Sequence, residues 1–246
     1  EGRAQMAYKN TFRRCEMKFP LTAEQYAAVR GAAAGMLAED SYGLQSICNI
    51  YFDNENDELI RTSLDKPVYK EKLRLRTYGV PRGDSAAYVE IKKKFKGVVY
   101  KRRERLTYAQ AYDFLTGGEP PFHTQQLDEI AYMRDSRRLV PRIVICYDRR
   151  AFYGVQDREF RVSFDSRIRY RRTALDLRAG DGGALLEGQP FCVMEIKAAG
   201  AMPLWAAHML SELGIYQRPF SKYGSIYAAE HNTNDRTGAE QCSEVS

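Results

Sequence analysis

Residues 72–76 read Lys72-Leu73-Arg74-Leu75-Arg76, a strict alternation of cationic and leucine side chains. Successive strand residues point to opposite faces, so the run predicts a β-strand with both leucines on one side and three cations on the other. The strand extends over 68–78, where Gly79, Pro81 and Gly83 end it. The alternation recurs elsewhere. Arg14, Glu16 and Lys18 share one face, and Glu90, Lys92 and Lys94 share another with Val89 and Ile91 opposite. Later runs group Lys101 with Arg103, Arg161 with Ser163 and Asp165, Arg167 with Arg169 and Arg171, and Glu195 with Lys197, the last pair backed by Met194 and Ile196.

Further strand-like runs cover 12–21, 44–53, 88–95, 98–106, 142–153, 160–164, 168–172 and 191–198. Helical patterns occupy 22–36 with Thr22 as cap, 57–64, 107–115, the stretch from His123 into the Met133 region, and 203–213. Lys96-Gly97 reads as a hairpin connection and 178–188 as a glycine-rich loop. One α+β domain is expected over 12–229, with 1–11 and 230–246 as flexible tails.

The composition, 44% hydrophobic and 28% charged over 246 residues, excludes wholesale disorder and a coiled coil. Five cysteines without a CxxC pair, and His123, His208 and His231 far apart in sequence, argue against a structural zinc site or a disulfide framework. No apolar run reaches the ~20 residues of a membrane span and none resembles a signal peptide. The expected location is therefore cytoplasmic, with any membrane or scaffold partner outside this chain. A net charge of +6 permits an anionic ligand without choosing one.

The charged strand faces allow three readings: solvent-facing sheet surfaces, the polar interior of a closed barrel packed by helices outside, or contacts to a nucleic-acid backbone. Arg169-Tyr170-Arg171-Arg172 and Lys101-Arg102-Arg103 would serve the last, although paired Glu and Lys on strand faces explain nucleic-acid binding poorly. A dry interior crowded with cations would repel itself, whereas a polyanion supplies compensating acceptors that guanidinium groups grip with paired hydrogen bonds. Glu16, Glu90 and Glu195 can then hold Mg²⁺ or Mn²⁺ beside phosphate oxygens, or act as salt-bridge partners. The absence of GxxxxGK[ST], HExxH and GxSxG elements leaves side chains to bind phosphate.

Taken in order, Arg14-Cys15-Glu16-Met17-Lys18, Ile50-Tyr51-Phe52-Asp53, Lys72 to Gly79, Glu90 to Lys94 and Lys101-Arg102-Arg103 resemble the VTC domain. This is the polyphosphate polymerase domain of the triphosphate tunnel metalloenzyme, or CYTH-like, superfamily. The resemblance continues through Tyr147 to Ala151, Phe160 to Asp165, Glu195-Ile196-Lys197 and Phe220-Ser221-Lys222-Tyr223, spanning 12–227. It implies an antiparallel β-barrel tunnel with helices outside. It also implies phosphate contacts from Lys18, Arg74, Arg76, Lys92, Lys101, Arg149, Arg161, Lys197 and Lys222, a metal ligand in Glu195, and metal or electrostatic support from Glu16 and Glu90. Arg14 stands where many tunnel triphosphatases have the first glutamate of ExExK, which favours the VTC branch. Phe19 replaces a tyrosine common after the VTC-like ExK unit.

The implied reaction transfers the terminal phosphoryl group of ATP to inorganic phosphate or to a polyphosphate end, with Mn²⁺ or Mg²⁺ as cofactor and ADP released. An ionised phosphate oxygen needs little proton abstraction, so alignment and charge neutralisation carry the catalysis. Lys18, Arg74 and Arg76 are expected to position phosphates, and Lys92, Arg149 and Arg161 to stabilise developing charge. Lys101, Lys197 and Lys222 would guide the chain. Arg74, Arg76, Lys92, Arg161 and Glu195 are expected to point into one enclosed polar space. A metal-dependent triphosphatase or polyphosphatase, and a non-catalytic polyanion-binding module, would use nearly the same residues.

Overall fold

A computed structural model describes residues 15–65, 67–96 and 98–241. The chain runs through β1 (Cys15–Leu21), α1 (Ala23–Ala32), β2 (Leu37–Glu39), β3 (Gln45–Asp53), α2 (Glu58–Leu64), β4 (Tyr69–Tyr78), β5 (Ala86–Phe95) and β6 (Val98–Thr107). It continues with α3 (Tyr108–Leu115), α4 (Gln125–Ser136), β7 (Val140–Gly154), β8 (Arg161–Arg171), a 3-10 turn at Leu177–Ala179, β9 (Ala184–Leu185), β10 (Cys192–Ala198), α5 (Leu204–Glu212) and α6 (Lys222–Gln241). All strand pairings described are antiparallel. Two compact units are formed: the first from the chain up to Leu44, Arg150–Asp165 and Pro190–Pro219, the second from Gln45–Arg149, Ser166–Gln189 and Phe220 onward. Strands β7 and β8 each pass from one unit into the other.

In the second unit β3 lies between β7 and β4, and β4, β5 and β6 follow in order. Alternation divides this sheet into two faces. Ile50, Phe52, Leu73, Leu75, Val89 and Ile91 pack against Phe114 of α3 and Leu127 and Ile130 of α4. Each fully buried side chain of this size contributes roughly 1.5–3 kcal/mol. On the other face, Ile47, Tyr51, Ile143, Ile145 and Tyr147 meet Ile60 of α2 and Tyr223 and Ile226 of α6. Because strand parity is fixed, burying Leu73 and Leu75 turns Lys72, Arg74 and Arg76 to this second face.

Local chemistry fixes the helix starts. Thr107 and Gln110 form a reciprocal capping box at α3, and Thr124 accepts from the Leu127 amide at α4. The Asp53 carboxylate accepts from the amides of Leu59 and Ile60, holding α2 against the end of β3. Beyond β4, Gly79 takes φ +78° and donates to the Ser46 carbonyl, a left-handed turn that a side chain would strain.

In the first unit β1 pairs with β10, which pairs with residues 161–165 of β8, while β2 pairs with the end of β7. Phe19, Leu21, Phe164, Met194 and Ile196 pack with Val29 of α1 and Ala206, Met209 and Leu210 of α5. Glu16, Lys18, Arg161, Glu195 and Lys197 occupy the opposite parity.

Four local expectations change. Helix α1 stops at Ala32 instead of reaching Met36, because the chain turns at Gly35 (φ +78°) and enters the unexpected strand β2. The two strands expected at 160–164 and 168–172 are one, β8, in which Arg167 at φ +49° breaks the alternation. The 178–188 loop contains part of a 3-10 turn and β9, which pairs with β8. Helix α6 continues past Ala229 to Gln241, and Arg172 fixes Glu230 through contacts of 2.6–3.1 Å. Residues 1–14, with Arg14 among them, and Gly97 of the expected hairpin turn lie outside the described residues.

Candidate functional site

The register of β4, β5 and β6 lays side chains on the second face in rows: Lys72, Lys92 and Lys101; Arg74, Glu90 and Arg103; Arg76, Tyr88 and Arg105. Like charges directly opposite across strands destabilise a sheet. Glu90 is the one carboxylate in these rows, and it is 1% exposed. Its Oε2 accepts from Arg74 Nε at 2.6 Å, and its Oε1 meets Lys101 Nζ at 2.5 Å. Burial alone would raise the Glu90 pKa, but Arg74, Arg76 and Lys101 outweigh it and hold the carboxyl at about 2. Burial pushes the Lys101 pKa down, with Glu90 opposing.

Two phenols and an amide hold the arginines. Arg74 Nη1 donates to the Tyr51 hydroxyl at 3.3 Å. Arg76 donates from Nε to Asn49 Oδ1 at 2.8 Å and from Nη2 to the Tyr147 hydroxyl at 3.1 Å. The Asn49 amide orientation is set by donation to the Ile145 carbonyl at 3.0 Å. For Tyr51, burial raises the phenol pKa, yet Arg74, Arg76 and Lys72 overcome it and bring the value to about 8. The Tyr147 ring carries Lys222 Nζ at 4.1 Å and the Arg149 guanidinium at 5.4 Å from its centroid. Lys72 Nζ reaches Ser221 Oγ at 3.2 Å.

In the second unit, therefore, Arg74, Arg76, Lys92, Lys101 and Glu90 share one sheet face, and Arg149 and Lys222 meet at Tyr147 beside Arg76. Tyr51, Asn49, Tyr147 and Lys72 belong to the same network and were not among the residues selected from sequence. Their signal was present: Lys72 opens the decisive alternation, and Asn49 and Tyr51 are polar i, i+2 residues in an apolar strand.

In the first unit, Lys18, Glu195 and Ser163 form one row across β1, β10 and β8, and Glu16, Lys197 and Arg161 form the next. Glu195 is 7% exposed, and its Oε1 lies 2.7 Å from Lys197 Nζ. Glu16 lies 3.6 Å from Lys18, and the exposed Arg161 lies 3.8 Å from Asp40. No group of three His, Cys, Asp or Glu side chains converges as a metal shell among the described residues. Hard divalent ions are also held by one or two carboxylates completed by substrate phosphates and water. Glu195, with Glu16 diagonal to it on β1, fits that sparse donor set. Glu90 has both oxygens paired with cations, and Glu195 has Oε1 paired with Lys197.

The basic run after Arg167 has a structural use. Arg169 donates to Asp148 at 2.8 Å and to Asp181 at 2.5 Å. Arg171 donates to the carbonyls of Ala174, Asp176, Gly180 and Gly182, tying down the loop before β9. With Arg172 on Glu230, these arginines do not present the free row that a nucleic-acid backbone would need.

The antiparallel α+β fold, with ranked cations and few carboxylates on its strand faces, is of the triphosphate tunnel type. Residues 13–231 match the VTC domain, and the chain belongs to that family. Among solved structures it is similar to a candidate adenylate cyclase from Bacillus halodurans, with 14% identity and a TM-score of 0.53 over 84% of this chain and 92% of that one. It is likewise similar to a candidate adenylyl cyclase from Hippeastrum described as having a dominant triphosphatase activity, with 14% identity and a TM-score of 0.52 over 88% and 95% of the two chains. At this identity the likeness shows the fold. No curated protein matches the chain. No helix among the described residues is long and apolar enough to cross a membrane.

Proposed function

We propose that the protein is a polyphosphate polymerase, transferring the terminal phosphoryl group of ATP to inorganic phosphate or to a polyphosphate end and releasing ADP. The observation that carries this reading is the row structure of β4, β5 and β6. Lys72, Lys92 and Lys101 stand in register beside a row whose single carboxylate is already neutralised. An extended, repeating anion relieves that repulsion along its whole length, which a small monoanion cannot do.

Arg74 and Arg76 are held by Glu90, Tyr51, Asn49 and Tyr147, so their remaining N–H groups are pre-aligned for phosphate oxygens. In this reading they and Lys18 position phosphates, and Lys92, Arg149 and Arg161 stabilise charge on the transferring group. Lys101, Lys197 and Lys222 guide the chain. Glu195, supported by Glu16, would hold Mn²⁺ or Mg²⁺, which supplies charge neutralisation at the phosphates when bound. The acceptor phosphate is already ionised and needs no general base.

Incubation with ATP and Mn²⁺ or Mg²⁺, with and without a short polyphosphate primer, tests the proposal by resolving ADP, free phosphate and polymer. Polymer with stoichiometric ADP supports it. Free phosphate as the sole product would assign hydrolysis, and binding without turnover would assign a polyanion-binding module.

A further inference from the structure

The β5–β6 hairpin end and the start of β4 gather exposed apolar side chains. Val68 is 62% exposed, Phe95 45% and Tyr100 56%, and Tyr69 and Val99 are exposed beside them. Register groups Tyr69, Phe95 and Tyr100 on one face, Tyr69 opposite Phe95, Phe95 opposite Val98 and Lys93 opposite Tyr100, while Val99 stands opposite Lys94 on the reverse face, so apolar side chains cover both sides of the hairpin end. Other large exposed apolar residues are separated along the chain, Tyr132 on α4, Leu204 at the start of α5, and Tyr42 and Tyr216 in connecting segments. Isolated exposed apolar residues need no explanation, whereas a contiguous group does.

Lys94 flanks Val99 on the reverse face and Lys96 follows Phe95 at the hairpin end. Lys94 and Lys96 are exposed, and Lys96 Nζ lies 5.5 Å from the Phe95 ring centroid. The nearby carboxylates are already engaged: Glu71 accepts from the Tyr69 hydroxyl at 2.8 Å and meets Arg137 at 2.6 Å, and Glu129 meets Lys93 at 2.6 Å. The hairpin end is thus aromatic, aliphatic and positively charged, with its acids neutralised.

We propose that this hairpin end docks on an anionic lipid bilayer surface. Tyr and Phe rings settle at the boundary between headgroups and acyl chains, where one end of the side chain is apolar and the other wet. Lysines near the surface of anionic lipid add electrostatic attraction that salt screens. A free polyphosphate chain would satisfy Lys94 and Lys96 but would leave Phe95, Val99 and Tyr100 in water, so charge and apolar area together fit a bilayer better. The attachment is peripheral and reversible.

The test is co-sedimentation of the full chain with vesicles of phosphatidylcholine alone or with added phosphatidylglycerol, at low and high salt, using wild type, Phe95→Ser/Tyr100→Ser and Lys94→Glu/Lys96→Glu. Wild type is expected to bind the anionic vesicles at least tenfold better than the neutral ones, and high salt should weaken binding. Each double variant should lose at least tenfold. All substituted positions are exposed, and thermal unfolding confirms folding of each variant; if one fails to fold, the other alone decides. Three results would overturn the proposal. They are no preference of wild type for anionic vesicles, undiminished binding by a folded hairpin variant, and absent vesicle binding with a wild-type self-association that the Phe95→Ser/Tyr100→Ser variant abolishes.

Discussion

Arg74 and Glu90 stand directly opposite each other on β4 and β5, and Arg74 Nε donates to Glu90 Oε2 over 2.6 Å. The pair places the one carboxylate of the basic rows where it orients a guanidinium and leaves that group's outer N–H atoms for a ligand. Removing Arg74 leaves the buried Glu90 to Lys101, and removing Glu90 leaves Arg74 without its carboxylate, with the Tyr51 hydroxyl as its contact.

The pH dependence of stability follows from Glu90. Its folded pKa of about 2 lies below the ordinary value of 4.5, so the unfolded chain takes up the proton first as pH falls. The stabilisation, on the order of 3 kcal/mol, is complete above the unfolded pKa and is lost as pH falls through the folded one. Thermal unfolding followed from pH 6 to pH 2 should show this acid slope in wild type. Glu90→Gln should be less stable at pH 7 and should show a shallower slope. Added tripolyphosphate should recover part of the lost stability by replacing the missing negative charge.

Tyr51 titrates in the alkaline range. With its pKa brought to about 8, the phenolate forms beside Arg74 below the range of an ordinary tyrosine. A folded pKa below the unfolded one adds stability as pH rises through 8 towards 10. The same charge competes with phosphate for Arg74. Ultraviolet titration of the ligand-free protein should show a tyrosinate step near pH 8 that Tyr51→Phe removes. The apparent affinity for ATP should fall above pH 8 in wild type and stay flatter in Tyr51→Phe.

Arg74 and Arg76 each hold two protein contacts with one guanidinium, Arg74 on Glu90 and Tyr51 and Arg76 on Asn49 and Tyr147. Lysine keeps the charge but cannot hold both contacts at once. Arg74→Lys/Arg76→Lys should lower kcat/KM for ATP at least tenfold, about 1.4 kcal/mol or more, while shifting thermal unfolding much less. Normal affinity and turnover in the folded double variant would remove both guanidinium groups from substrate recognition.

Glu195→Gln keeps the side-chain shape and removes the charge. Mn²⁺ binding, followed by titration calorimetry with a non-hydrolysable triphosphate present, should weaken at least tenfold, and phosphoryl transfer should fall with it. Unchanged metal affinity in the folded variant would take Glu195 out of the metal shell.

The alternation around Arg74 was legible because strand parity is a local rule and Leu73 and Leu75 had to be buried. The fate of Arg169 was not. It shares the spacing of Arg167 and Arg171, but its partners Asp148 and Asp181 come from other elements, and the left-handed backbone at Arg167 shifts the parity on which the reading relied. Glu230 looked like part of a polar tail until Arg172, 58 positions earlier, engaged it. Glu90 was readable as a charged strand residue. That it neutralises Lys101 while Tyr51 and Tyr147 carry the arginines depends on register between strands, which no local pattern encodes.

The most direct test of the central claim is one turnover of ATP labelled in its terminal phosphate, with Mn²⁺ and unlabelled tripolyphosphate, followed by separation of the products by chain length. A polymerase puts the label in the chain one phosphate longer than the primer and releases one ADP per phosphate added. Label found only in free inorganic phosphate, with the primer unextended, would contradict the claim.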